Sequence, residues 1–476
     1  MTHQDVELLA IGAGPSNLAL AVALEEIAPD GLARDTLIIE RSDAIAWQRG
    51  LLLPWVTSQI SFLKDLVTRR DPSSAFSFVN YMHSVGRLDD FINRGGLWPY
   101  RVEISAYLKW VADHLEKVRV ELGRECVGIE PRRNAAGALV GWTTRLADGS
   151  TIGSRYLVIA GGRDAHIPAP LAGLSSERIV HSTRYAQRMA GLSRELPYRV
   201  AVVGAAQSAA EIYRAVQEDL PNAEVAWIMR SLGPGALQSS KFTNEMYYPS
   251  FVDRVYDSSP EGREAIRREM HRTNYSGIEP DLLDSLYAQR YVDRLNKRDR
   301  TSLVTMVDIV GATESEEDGV VLELADRTTG EISTLPRDLV FLGTGFEHDM
   351  PRTVRRLAER LGLAEAVVDR NYRLVLGESA GAACYLQGVN EATHGVGDSL
   401  FSVLANRAAE TVRDIMADRT AVGAASAAAA LSAAGTGTGA DSDVSAGNGA
   451  SASPGVGAKT KAKTAVPVGA GTGGRS

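Results

Sequence analysis

Two stretches of this 476-residue chain carry residue types suited to holding a dinucleotide, and neither contains a nucleophile with its base. The first is IGAGPSNLA, in which Gly12, Gly14, Pro15, Ser16 and Asn17 follow the apolar run Val6 to Ile11 and precede Leu18, Leu20, Val22 and Leu24 at helical spacing. Gly12 and Gly14 let backbone approach a ligand closely, and the free N–H groups and positive dipole end of the next helix favour an anion, here a pyrophosphate. Glu40 ends a second apolar strand, TLIIERS, 28 residues after Gly12, where a carboxylate binds ribose hydroxyls. Asn17 stands where the usual fingerprint has a third small residue.

The second stretch, RVAVVGAAQSAAEIYRAV from Arg199, repeats strand, turn and helix, with Gly204, Gln207 and Ser208 at the turn. Ala205 and Ala206 replace the second glycine, so backbone approach to a pyrophosphate is less intimate. The following strand, EVAWIMRS, ends at Arg230, 26 residues after Gly204. A guanidinium there suits a 2'-phosphate through paired N–H donors, which favours NADPH over NADH; an exposed arginine at a strand end is the plain alternative.

Two such turns need two parallel sheets to hold them. Apolar strands ending in Gly161 and Gly162, and again in Gly343 and Gly345, mark crossings between them. The expected fold is α/β, with two Rossmann-like dinucleotide-binding domains, for FAD and NADPH, and a substrate site between them. Residues 1–170 and 335–419 form the discontinuous FAD domain in this reading, and 171–334 the inserted NADPH domain. Residues 420–476 are Ala-, Gly-, Ser- and Thr-rich and are expected to be a disordered tail.

Composition narrows the function further. A hydrophobic fraction of 44% can bury two cores, and a formal charge of −8 argues against a nucleic-acid or acidic-membrane binder. Cys126 and Cys384 are the only cysteines, leaving no CxxC pair and no zinc cluster, so neither disulfide-reductase chemistry nor a metal is expected. The N-terminus enters the first strand without a signal-like segment and no stretch approaches 18 apolar residues, which points to a soluble, cytoplasmic protein.

From residue 5 to 418 the chain resembles the flavin-dependent N-hydroxylating monooxygenases that act on L-ornithine or L-lysine. The resemblance lies in GAGPSNLA, QISFLKDLVTRRDPSSAFSFVNY, the NE of FTNEMYY, TNYS at 273–276, Asp338 with LGTGF, and NEATHGVGDSLFSVLANR. It departs at GAAQS, at Lys241 before FTNE, and at GTGF. It implies that NADPH reduces FAD, and that a C4a-hydroperoxyflavin hydroxylates the side-chain amine. The product would be N5-hydroxyornithine, for hydroxamate siderophore-type compounds. No side chain is then required as a catalyst, because the cofactor carries the hard step. Carried over residue by residue, Lys64 meets the substrate carboxylate, Asn244 and Asn274 its backbone end, and Ser402 the amine end. Trp47 and Gln59 would lie by the isoalloxazine and Arg101 by the nicotinamide. The family also implies a homo-oligomer, a tetramer. Hydroxylation of L-lysine or of a diamine stays open, as does a redox-sensing nucleotide-binding protein. A carbonyl-oxidising flavin monooxygenase fits less well, since His181 and Tyr185 form HxxxY without the FxG half of its fingerprint. His394 is expected to be structural.

Overall fold

The computed structural model describes residues 2–435 apart from 239, 276, 299 and 378–380, with side chains up to residue 424 apart from that of Arg272. Apolar residues at period two build the first sheet from β1 (His3–Ile11), β2 (Thr36–Ile39), β3 (Arg119–Glu121), β4 (Cys126–Arg133), β5 (Leu139–Leu146) and β6 (Thr151–Ile159), in the order β3-β2-β1-β6-β5-β4. The β3-β2-β1-β6 pairs are parallel and the β6-β5-β4 pairs antiparallel. Helix α1 (Pro15–Ile27) crosses from β1 to β2 and is buried continuously from Asn17 to Leu24. It is apolar all round because the sheet lies on one side and α2 (Arg101–Asp113) with later helical residues such as Leu404 and Ala408 on the other.

The second sheet is wholly parallel, with helix α3 (Gln207–Asp219) beside it. It takes β7 (Ile179–His181), β8 (Arg199–Val203), β9 (Glu224–Ile228) and β10 (Thr301–Val304). Helix α4 (Pro260–Asn274) lies between β9 and β10 in the chain. A three-stranded antiparallel meander follows, β11 (Val307–Ser315), β12 (Gly319–Asp326) and β13 (Ile332–Arg337); its Val320, Leu322 and Leu324 pack on Ala201, Val203 and Ile228 of the second sheet. Then β14 (Leu339–Leu342) pairs with both β7 and β8. The expected return to the first sheet at residue 335 is therefore too early. The chain rejoins that sheet through β15 (Ala383–Leu386), parallel to β6.

Helix α5 (Leu404–Gly435) ends the described chain. Residues 420–435, expected to be disordered, are helical; the alanines that cannot build a core are the strongest helix formers. The remainder of the expected tail, 436–476, lies outside the described residues. Residues Met1–Val422 form one compact unit. Among the described residues no helix is long and apolar enough to cross a membrane.

Candidate active site

At the first turn, Gly12 has φ +93°, and a Cβ on it would sit 2.7 Å from the Ala160 carbonyl oxygen, so the fold itself requires glycine. Gly14 is different. A Cβ there would meet no protein atom within 4 Å, which leaves open space over the N-terminus of α1. Pro15 opens the helix with its φ already set. The Glu40 carboxylate lies beside this space, accepting from the N–H groups of Ala13 at 2.9 Å and Ser42 at 3.0 Å.

Asn17 holds the turn with its amide nitrogen, while its Oδ1 is buried without a partner among the described residues. Its Nδ2 donates to the carbonyls of Ile11 at 3.0 Å and Gly12 at 2.8 Å, so it pins the turn from within and replaces a small residue by bonding rather than by fit. Ser16 Oγ is likewise engaged, accepting from Arg407 Nη2 at 2.7 Å; Arg407 is itself buried in an ion pair with Asp398. Gln387 was not legible in the sequence. It follows β15 with its N–H on the Ile159 carbonyl, at the same strand ends as Gly12. It is 2% exposed, and neither atom of its side-chain amide has a partner, nor does Asn390 Oδ1 nearby. Buried amides are rarely left so, because each lost bond costs on the order of 1–3 kcal/mol. Open space at Gly14, an acid at its rim and an orphaned buried amide together fit a dinucleotide.

At the second turn Gly204 has φ +131° with the Gly343 carbonyl oxygen 2.4 Å from a hypothetical Cβ. Gln207 turns inward, its Oε1 accepting from Glu279 N at 2.9 Å and its Nε2 donating to Glu211 at 3.0 Å. Ser208 is half-buried on the first turn of α3. Arg230 is exposed just beyond β9, and its side chain has no partner among the described residues. Arg101, expected by the nicotinamide, is engaged within the protein. Both its terminal nitrogens bond the Glu211 carboxylate at 2.8 Å, one also donating to the Leu51 carbonyl, and arginine and glutamate are 5% and 0% exposed. Such a fork-to-fork pair between α2 and α3 holds Arg101 within the protein, spending three of its five N–H groups on Glu211 and Leu51.

A third cluster lies around the segment Phe62–Lys64. Lys64 Nζ donates to Ser402 Oγ at 3.3 Å, and Arg69, which sequence reading missed although it sits in TRRDP, donates to the Ser402 carbonyl at 2.7 Å. Neither cation has an acidic partner among the described residues. Burial, with Arg69 adding its charge, holds the Lys64 ammonium below its ordinary pKa; burial does the same to Arg69. Arg69 also lies 5.9 Å from the ring centre of Tyr248. Tyr248 follows Asn244, while the Tyr247 hydroxyl meets Thr273 Oγ1 at 2.5 Å, next to Asn274. Lys64 and Ser402 thus touch directly, so Ser402 sits with the expected carboxylate ligand rather than at a separate amine end, and the segments bearing Asn244 and Asn274 join the same patch through Tyr248 and Thr273. The amide side chains of both asparagines are without partners among the described residues. Trp47 packs edge-on against Phe401, ring centres 5.0 Å apart, beside Ser402. Gln59 is exposed and donates to Glu279 at 3.3 Å.

The remaining candidates are structural. His181 is buried with Nε2 2.8 Å from the Gly345 carbonyl, and Tyr185 donates to Asp219 at 2.9 Å. His394 stacks on Tyr372 at 4.1 Å, and burial pulls its pKa down to about 4. Burial pushes the Cys126 thiol up to about 11 and the Cys384 thiol higher still, so both are poor nucleophiles. No group of His, Cys, Asp and Glu among the described residues could hold a metal.

Residues 4–348 match the family model described as L-lysine 6-monooxygenase/L-ornithine 5-monooxygenase. The chain belongs to this family. It is 36% identical over 411 residues to the L-ornithine N(5)-monooxygenase of Pseudomonas aeruginosa, spanning 85% of this chain and 92% of that one. An ornithine hydroxylase structure from Pseudomonas aeruginosa superposes with a TM-score of 0.80 at 35% identity, over 87% of this chain and 99% of the other. The ornithine N-hydroxylase of Kutzneria sp. 744, solved with reduced FAD, NADP+ and L-ornithine, gives 0.79 at 32% identity, over 87% and 100%. This family member is accordingly an FAD- and NADPH-dependent N-hydroxylating monooxygenase, and the two sheets described above, each with parallel strands beside a glycine turn, are the dinucleotide-binding folds expected of it.

Proposed function

We propose that the protein hydroxylates the side-chain amine of L-ornithine, giving N5-hydroxyornithine. One observation carries the choice of an amino acid over a diamine: Lys64, half-buried, is bonded to a neutral hydroxyl and has no acidic partner among the described residues, which suits it to an anionic group. The substrate carboxylate is that anion. The partnerless amides of Asn244 and Asn274 supply donors and acceptors for the α-amino and carboxylate groups. FAD would rest on the N–H groups after Gly12, with Glu40 at its ribose and Gln387 buried against it. NADPH would rest on the Gly204 turn and Ser208, with Arg230 at the 2'-phosphate. When bound, the flavin, reduced by the nicotinamide, supplies the activated oxygen. The chain's own task is to fix the amine, unprotonated, within reach of it and to keep water out; the Trp47–Phe401 ring pair lies beside Ser402. The FAD domain then comprises residues to about 170 and those after β14, and the NADPH domain the segment between. The product would feed hydroxamate assembly in the cytoplasm. Exposed Tyr287, Tyr291 and Leu295, four residues apart along the helix Pro280–Leu295, are a surface suited to self-association as a homo-oligomer.

Steady-state kinetics of Lys64→Ala test this reading. The ornithine KM should rise at least tenfold with FAD content intact; an unaltered KM removes the clamp and favours a diamine.

A further inference from the structure

We infer that Arg69 is the second arm of the carboxylate clamp and sets the preference for an amino acid over the matching diamine, an inference that rests on the proposed ornithine site. Two neighbouring arginines frame the case. Arg70 is buried against Glu26 in an ordinary ion pair, whereas Arg69 has no acidic partner among the described residues. The one acid adjacent in sequence to Lys64 is unavailable to either cation. The Asp65 carboxylate is buried and accepts from Val67 N at 3.0 Å, Thr68 N at 2.6 Å, Thr68 Oγ1 at 2.8 Å and Phe78 N at 2.8 Å. Lys64 and Arg69 meet instead on one residue, Ser402, the lysine on its hydroxyl and the arginine on its carbonyl.

Two half-buried like charges on one serine repel each other and lose hydration, a cost that an anion between them reverses. A lysine alone neutralises a carboxylate as a point charge. The arginine adds planar paired N–H donors, one of which already serves Ser402 while the others remain for the ligand. The Tyr248 ring, its centre 5.9 Å from the guanidinium carbon, stands at the outer reach of a cation–π contact. A diamine lacks the carboxylate and gains nothing from either cation.

The test compares kcat/KM for L-ornithine with that for putrescine, which is ornithine without its carboxylate, in wild type and in Arg69→Leu. The variant should lose about tenfold or more on ornithine, chiefly in KM, and no more than about threefold on putrescine, so that the ratio between substrates collapses. If Arg69 only holds the Ser402 carbonyl, both substrates fall equally, and that result overturns the inference while leaving the ornithine assignment standing. Arg69→Gln keeps a donor for that carbonyl without the charge, and must show the same collapse should the leucine variant fail to retain FAD. Wild type that prefers putrescine overturns the assignment of the site and this inference together.

Discussion

Replacing Arg101 with methionine should destabilise the protein without touching the nicotinamide. Glu211 is fully buried, and the arginine provides two of its three hydrogen bonds; Gln207 provides the other at 3.0 Å. Removing one partner of such a pair leaves an uncompensated buried charge, which costs about 3–5 kcal/mol. The Leu51 carbonyl loses its donor as well. Replacing both members by apolar residues of similar volume, Arg101→Met with Glu211→Leu, should recover most of that loss, because the desolvation cost of the ions disappears with them. Urea denaturation followed by flavin and tryptophan fluorescence measures the two variants against wild type, with the NADPH KM measured alongside at low temperature. Arg101→Met as stable as wild type but with a KM raised tenfold would refute the structural assignment and return Arg101 to the cofactor.

Asn17→Ala removes the two bonds that pin the first turn and should cost about 1–3 kcal/mol, seen as lower thermal stability and easier loss of FAD on dilution. His394 is buried with a pKa near 4 against 6.5 when unfolded, so as pH falls through 6.5 the unfolded chain takes up a proton that the folded chain refuses. Stability should fall by about 2 kcal/mol from this group between pH 7 and pH 5, and urea midpoints at the two pH values should differ less in His394→Asn. Arg230→Ala should lower the NADPH-to-NADH ratio of kcat/KM by roughly tenfold or more, the worth of a charge-assisted phosphate contact; an unchanged ratio places the phosphate elsewhere.

Both nucleotide turns were legible because glycine spacing, an apolar strand before and helical periodicity after are local signals. What those glycines do was only partly legible. Gly12 and Gly204 prove to be demanded by strand crossings at Ala160 and Gly343, contacts that only tertiary structure creates. Arg101 shows the same limit: it came by resemblance alone, as a residue near the nicotinamide, and Glu211, 110 residues away, is brought to its fork only by the fold. Asn17 looked like a departure from the fingerprint and is a substitute for it. The meander β11–β13 went unread, although Val320, Leu322 and Leu324 alternate, because its third strand, β13, is exposed at Ile332, Ser333 and Thr334 and carries little apolar signal. Lys64 came through resemblance alone, since as a lone lysine it reads as solvated; Arg69 lacked even that, and only its missing acid marks it. The end of the second sheet was misplaced for a related reason. The apolar run Leu339–Leu342 reads equally well as a strand of either sheet, and its pairing with β7 and β8 decides the matter.

Mass spectrometry of the product, set against NADPH consumed and hydrogen peroxide released, tests the central claim most directly. Purified protein with FAD, NADPH and O2 is given L-ornithine, L-lysine or putrescine in turn. The clamp at Lys64 fixes one end of the substrate, so side-chain length decides whether the amine reaches the flavin, and a misplacement of about 1 Å can cost on the order of a hundredfold in rate. Ornithine should give its N5-hydroxylated product with most NADPH accounted for, and lysine should release mainly peroxide. Equal or better coupling with lysine or with putrescine would contradict it.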